Sequence, residues 1–200
     1  METVGVAWDQ RLSPRLWYTA AVEEHRSTTS RATRAWAVVP TGEISVRDLP
    51  ADLDFLERAI SLDAGYLAGR ALAFQVGYRF SATDFDQVLQ VPVAPANDLH
   101  ATALLHTLTL GARYHHPSGF FAGLQSHWYR QDFDREYAHL PAEDFWQLDA
   151  RVGWRFWQRR AELSVGILNL TDTGFRLHPL SLYLEPARER SWVLSGTFAF

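Results

Sequence analysis

One feature limits the possible folds of this chain more than any other: apolar and polar residues alternate with a period of two. The clearest segment is Trp146–Phe156, where large apolar side chains share one face. The other face carries polar or small residues, namely Gln147, Asp149, Arg151, Gly153 and Arg155. A period of two is the signature of a β-strand that has one apolar face. The segment therefore predicts a strand.

The same alternation recurs along the chain and predicts an all-β fold of nine strands. A tenth strand over Arg34–Val39 would make the number even, and Asp48–Phe55 could form a helical turn. The nine predicted strands are Gly5–Asp9, Leu16–Glu24, Leu56–Leu67, Ala71–Phe80, Leu99–Tyr114, Phe120–Gln131, Trp146–Phe156, Ala161–Leu170 and Ser191–Phe200.

Short and long links alternate between these strands. The short links are Gln10–Arg15, Ala68–Arg70, His115–Gly119 and Trp157–Arg160; the long ones are His25–Asp54, Ser81–Asp98, Asp132–Phe145 and Thr171–Glu189. Short periplasmic turns and long extracellular loops are typical of outer-membrane barrels, whose strands of about 10 residues cross a bilayer at a tilt. The pattern predicts an antiparallel up-and-down transmembrane β-barrel segment of about 9–10 strands. An odd number of antiparallel strands leaves the first and last strand parallel, so we expect part of a larger barrel.

Aromatic residues lie near the ends of the predicted strands on the apolar face. Outer-membrane barrels carry such girdles where the strands meet the lipid headgroups. A soluble barrel or sandwich, whose apolar face points inward, stays open as an alternative. The residues are Tyr66, Tyr78, Phe80, Tyr114, Phe120, Trp128, Trp146, Trp154, Phe156, Trp192 and Phe200.

Composition excludes several classes of function. The formal net charge of -4 disfavours a nucleic-acid surface. The chain has no cysteine, so it can form neither a disulfide nor a thiolate metal site. No apolar run reaches the roughly 20 residues of a transmembrane helix, and the first residues, METVGVAWDQ, do not resemble a signal peptide.

The last part of the chain contains the segment Asn169-Leu170-Thr171-Asp172. It is similar to the Asn-Leu-aromatic-Asp motif that ends the penultimate strand of the family of TonB-dependent outer-membrane receptors, with Thr171 in place of the aromatic. Arg188-Glu189-Arg190 is similar to the entry of its final strand, and Phe200 matches its terminal aromatic. The resemblance identifies residues 1–200 as a C-terminal portion of the barrel domain, without the family's plug or TonB box.

The resemblance implies the wall of a channel for ligand uptake across the bacterial outer membrane. Implied partners are outer-membrane lipid, the barrel-assembly machinery through the C-terminal strand, and TonB through a plug that this chain does not contain. No nucleic acid, cofactor, metal or enzymatic activity is expected. Two other functions stay open: a plugless outer-membrane channel or secretion porin, and a soluble β-barrel that binds an apolar ligand.

Charged residues on the polar face of the strands are the main candidates for function. On the wall of a lumen, they would pair across neighbouring strands and set the electric field of the interior. They are Asp63, Arg79, Arg113, Asp149, Arg151, Arg155 and Glu162.

Other groups carry weaker signals. His115 and His116 are adjacent, so on an extended chain they point to opposite faces and chelate poorly. Ser126 and His127 also point to opposite faces, which excludes a Ser-His catalytic pair between them. An acidic predicted loop, with Asp132, Asp134, Glu136, His139, Glu143 and Asp144, is expected to be solvated and not to hold a cation.

Overall fold

The computed structural model describes residues 1–38, 42, 44–89, 99–135, 140–158, 160–175 and 188–199. Within these ranges, nine strands form one antiparallel sheet in which each strand pairs with its neighbours in sequence. The strands are β1 (Glu2–Ser13), β2 (Leu16–Val38), β3 (Ile44–Ala68), β4 (Leu72–Leu89), β5 (Leu99–His115), β6 (Phe120–Arg135), β7 (Leu140–Phe156), β8 (Ala161–Leu168) and β9 (Ser191–Phe198). None of the described residues forms a helix that could cross a bilayer.

The all-β, antiparallel, up-and-down fold is confirmed. In the described ranges β1 pairs with β2 alone and β9 with β8 alone, so the sheet is open. Because the number of strands is odd, β1 and β9 run in the same direction.

The expected long link His25–Asp54 is wrong. The strands β2 and β3 stay in continuous register from the Leu16–Tyr66 pair to the Val38–Ile44 pair. The segment Asp48–Phe55 is strand and not a helical turn, because its Leu and Phe side chains also alternate with a period of two. Residues 34–38 end β2 and form no tenth strand, while Val39 lies outside the described residues.

Two other expected long links are also partly strand. β4 continues to Leu89 and β5 begins at Leu99, so the first half of the expected loop Ser81–Asp98 extends β4. Likewise, β6 continues to Arg135 and β7 begins at Leu140, which leaves little of the expected loop Asp132–Phe145. The expected short links are short turns, and the end of the sheet that holds them is called the short-turn end. The opposite end is called the far end.

The register defines two faces. The outer face carries apolar side chains that are about half exposed, among them Leu62 on β3, Leu124 on β6 and Val152 on β7. The inner face carries their sequence neighbours, such as Asp63, Gly123 and Arg151. Side chains from β2 to β9, from Trp17 to Ser195, line one cavity on the inner face, so the sheet curves around that side.

Candidate functional site

The side chains of the outer face change from apolar to charged along the strands. On β6, Phe120, Ala122, Leu124 and Trp128 lie toward the short-turn end. Beyond them, the outer face of the same strand carries Arg130, Asp132 and Asp134. The change occurs at a similar level on β2, β3 and β4, where Val22, Ile60 and Phe80 pair in one row. We call the apolar part of the outer face, on the short-turn side of this level, the apolar band.

Ion pairs occupy the outer face beyond the apolar band. Arg58 Nε lies 2.9 Å from Glu24 Oε2, across β2 and β3. The hydrogen bond and charge of Glu24 raise the pKa of Arg58 above its usual value. His100 and Asp86 form a second exposed contact at 2.6 Å. Exposed charged side chains are well solvated in water and costly on a lipid-facing surface, so this part of the outer face suits an aqueous environment.

Along the same direction, the side chains of the inner face change from mainly polar to mainly apolar. Toward the short-turn end it carries polar side chains, including Gln75, Arg113, Gln125 and Arg151. Toward the far end it carries mainly apolar side chains, together with buried Gln87 and Gln131 and exposed Glu143. Its buried apolar residues there, with their exposed fractions, are Leu49 (5%), Ala51 (0%), Ala101 (2%), Phe133 (7%) and Phe145 (8%).

An aromatic cluster covers the inner face near the far end. Phe175, from the link between β8 and β9, stacks on Phe145 of β7 with ring centroids 4.3 Å apart. Tyr129 of β6 completes the cluster, 5.1 Å from Phe145 and 6.4 Å from Phe175. Phe175 is 4% exposed. The cluster attaches the start of the link to the inner wall of the sheet.

Asn169 fixes the geometry of that link. Its side chain is buried, donates to the carbonyls of Thr173 at 2.9 Å and Arg188 at 3.2 Å, and accepts from the Thr173 amide at 3.1 Å. Its φ of 53° is left-handed, a conformation that asparagine adopts more readily than most residues. Asn169 therefore joins the end of β8 to the approach to β9.

The other positions of the family motif surround Asn169. The Leu170 amide donates to the Leu148 carbonyl at 2.7 Å, and Asp172 accepts from the Arg190 amide at 2.9 Å. Phe175 and Arg188 form a β-bridge. The segments on which the predicted resemblance rests, Asn169–Asp172 and Arg188–Arg190, thus hold each other across the link, while Phe200 lies outside the described residues.

All seven candidate charged residues lie on the inner face, in separate groups. Arg79 contacts Glu23 at 3.4 Å and Glu57 at 3.3 Å. Asp63 covers Gly77, where an added Cβ would lie 2.5 Å from its Oδ1 atom. Asp149 accepts from Gln147 at 2.8 Å and from the Asn169 amide at 2.9 Å, so it ties the inner wall to the β8–β9 link.

The largest group surrounds Glu162 and Phe121. Glu162 lies 3.0 Å from Arg151 Nη2 and 2.7 Å from Arg155 Nε. Both guanidinium groups also approach the ring of Phe121, at 5.6 and 4.7 Å from its centroid. The Cζ atom of that ring also covers Gly153. The two cations are held in fixed positions by one carboxylate and one aromatic ring.

Arg113 differs from the other candidates. It is exposed on the inner face, lines the cavity, and has no hydrogen-bond or ion-pair partner among the described residues. The cavity has a volume of about 790 Å³.

The weaker candidates stay apart. His116 Nδ1 lies 2.7 Å from Ser118 Oγ within the turn, whereas His115 faces inward toward Arg155 at 3.4 Å. Asp132, Asp134 and Asp144 lie on the outer face, and Glu143 lies on the inner face against Gln131. Glu136 and His139 lie outside the described residues. In the described ranges, no group of three or more His, Asp or Glu side chains could hold a metal ion.

Sequence reasoning missed several residues of this face. Glu23 and Glu57, the partners of Arg79, alternate in step with it but were not recognised, and Tyr129, Phe145 and Phe175 gave no signal of a cluster.

No protein-family model, curated protein or solved structure matches this chain. The arrangement of charge and apolar surface is therefore the basis for a functional proposal.

Proposed function

We propose that this chain forms part of the wall of an outer-membrane β-barrel of the TonB-dependent receptor type, which takes up a ligand across the outer membrane. The supporting observation is the change of the outer face from apolar to charged at one level of the sheet, beyond which several inner-face residues are apolar and buried. The short-turn part has an apolar outer face and a polar inner face, which would suit lipid outside and a polar lumen inside. The far part has a charged outer face and a more apolar inner face, which would suit water outside and an apolar interior. A soluble barrel would have its apolar face inside along the whole strand.

The height of the apolar band supports this proposal. On β7 it extends over Trp146–Phe156, and ten steps of about 3.3 Å give about 33 Å of strand. A tilt of about 40° reduces that length to about 25 Å along the barrel axis, the height of the apolar band on outer-membrane barrels. Trp154 and Trp146, near its two ends, correspond to the aromatic girdles.

The receptor type is supported by the link between β8 and β9. The residues of the motif, Asn169, Leu170 and Asp172, all make contacts that shape this link. In a barrel hairpin, these contacts would explain why the motif has these residue types at these positions. The barrel-assembly machinery and, through a plug, TonB are the partners that this proposal includes.

Fluorescence quenching by brominated lipid would test the membrane location. The chain is refolded in detergent and transferred to phosphatidylcholine vesicles with brominated or unbrominated acyl chains. We expect strong quenching of tryptophan emission only in brominated vesicles, because Trp154 faces outward within the band. In the variant Trp154→Phe the quenched fraction should fall, whereas in Trp17→Phe, which removes an inner-face indole, the unquenched fraction should fall. A chain that stays in the aqueous phase without quenching would contradict the proposal.

A further inference from the structure

Glycines on the inner face of β3–β8 form two groups. Gly65, Gly77 and Gly153 lie beneath side chains of a neighbouring strand, so an added Cβ would collide there. At Gly111, Gly123 and Gly166, the nearest atoms to an added Cβ would be 3.6, 3.9 and 3.4 Å away, which is ordinary contact distance. None of these three has a left-handed φ. Neither crowding nor backbone conformation therefore requires glycine at these positions.

Glycine inside a strand weakens the strand and often marks a close approach by a ligand. The three uncrowded glycines lie beside polar side chains in two adjacent rows. One row, from β5 to β8, reads Arg113, Gly123, Arg151 and Gly166. The next row, from β4 to β7, reads Gln75, Gly111, Gln125 and Asp149. All eight of these residues line the cavity.

We call Gly111, Gly123 and Gly166 the glycine floor. The charges around this floor favour the binding of an anion. Asp149 is engaged by Gln147 and the Asn169 amide, and Glu162 is shared by Arg151 and Arg155. Ser164 Oγ also fixes Arg151, at 2.7 Å. Arg113 is the cation that no described residue neutralises. Its guanidinium group can offer parallel N–H donors to a carboxylate or a phosphate.

We propose that this cavity binds a small solute through an oxyanion group, either carboxylate or phosphate. Arg113 is the primary contact, the side chains of Gln75 and Gln125 contribute polar contacts, and the glycine floor makes room for the solute. The cavity volume of about 790 Å³ lies in the range of small-molecule sites. The site goes beyond the proposed function and does not depend on it, because it uses only the inner face of the folded sheet.

Calorimetric titration of the folded chain in a non-ionic detergent would test the site. Citrate serves as the carboxylate probe, pyrophosphate as the phosphate probe and sucrose as the neutral control. We expect saturable binding of at least one anion, weaker at high salt because of screening, and no binding of sucrose. Absence of saturable binding for both anions would overturn the proposal. A chain that does not insert into vesicles can still be titrated, so the two proposals fail separately.

Substitutions locate the site within the cavity. The variant Arg113→Gln should bind the anion about tenfold more weakly, because it loses a charge-assisted pair of hydrogen bonds. The matched control is Arg130→Gln, which removes the same charge from the outer face and should leave affinity unchanged. Equal weakening in both variants would mean general charge attraction and would overturn the site.

A second pair tests the floor. The variant Gly123→Val should fill the space between Arg113 and Arg151 and abolish binding, whereas Gly196→Val, in open space on the outer face of β9, should leave it intact. Circular dichroism checks that each variant folds. If Gly123→Val does not fold, Gly123→Ser replaces it, with a loss of affinity of several-fold expected. Wild-type affinity in a folded floor variant would overturn the proposal.

Discussion

At the scale of single residues, the inner wall is shaped by side chains that cover glycines. Trp17 covers Gly65 and Phe121 covers Gly153, and each pair is directly opposite in the register. Aromatic side chains laid over a cross-strand glycine restore the contact area that glycine lacks. This arrangement also keeps large rings close to the wall, so they occupy little of the space that the sheet encloses.

The covered and uncovered glycines should respond differently to the same substitution. In Gly153→Ala, the added methyl group would lie 2.7 Å from the Leu163 carbonyl oxygen, an atom of the backbone that cannot easily move. We expect a loss of about 1–3 kcal/mol in the free energy of unfolding, which is typical of overpacking. Gly123→Ala, on the same face, should be neutral or slightly stabilising. Urea unfolding in detergent measures both, and an equal loss would contradict the assignment of the two groups.

Asn169 should be the most sensitive residue of the β8–β9 link. Replacing it with alanine removes its side-chain hydrogen bonds and places alanine in a left-handed conformation. We expect a loss of about 3 kcal/mol in the free energy of unfolding, because buried backbone groups would lose their partners. The neighbouring exposed Thr171→Ala serves as the control, with an expected change within about 0.5 kcal/mol. Similar midpoints for the two variants in urea would show that Asn169 does not hold the link.

At the scale of elements, the number and pairing of the strands could be predicted from alternation, but their lengths could not. The predicted strands ended where the outer face becomes polar, for example after Glu24 on β2 and before Leu56 on β3. The alternation continues beyond those points with the apolar residues on the other face, as Leu49, Leu53 and Phe55 show. Polar composition and Pro50 made this part resemble a loop. Only the register shows that it is strand.

The partners of the charged residues were also beyond sequence reasoning. Alternation placed Arg79 and Arg113 on the same face, yet it could not distinguish the paired from the unpaired one. The difference depends on which strands are neighbours and how they are aligned: Arg79 meets Glu23 and Glu57, whereas Arg113 lies opposite Ala73 and Gly123.

A charge should be tolerated on one face of β6 and costly on the other. Leu124→Arg places a guanidinium group in the apolar band and should cost about 2–4 kcal/mol of folding free energy in a bilayer. Gln125→Arg, one residue along and on the inner face opposite Asp149, should have little effect. Asp132→Arg, on the outer face beyond the band, should be equally well tolerated. Urea titration in vesicles gives the three values, and similar costs for Leu124→Arg and Gln125→Arg would contradict the assignment of faces.

At the scale of the whole molecule, both edges of the sheet are free. The outward backbone groups of β1 and β9 have no strand beside them in the described ranges. Unpaired backbone groups exchange their hydrogens readily in water, whereas those in central strands are protected. In lipid such groups are costly, so an edge strand there would require a neighbour.

Hydrogen exchange should therefore be graded across the sheet. For the folded chain in detergent, we expect the slowest exchange in β4–β6 and the fastest in β1 and β9, measured by mass spectrometry of peptides. Addition of a second copy at either edge would raise protection there with increasing protein concentration. Protection of β1 and β9 equal to that of β5 at low concentration would mean that the edges are already paired.

If the chain spans a bilayer as proposed, the change of the outer face from apolar to charged determines how deep the sheet sits. If the sheet moved along the bilayer normal by two residues, about 7 Å of strand, it would carry the Arg58–Glu24 ion pair into hydrocarbon. A shift the other way would lift Val22 and Ile60 into water and draw the polar turns at the short-turn end into the hydrocarbon. In a bilayer both displacements would raise the free energy, so the proposed membrane location implies one preferred immersion depth. A sheet whose outer face had the same polarity along its whole length would have no such free-energy minimum and could slide along the bilayer normal.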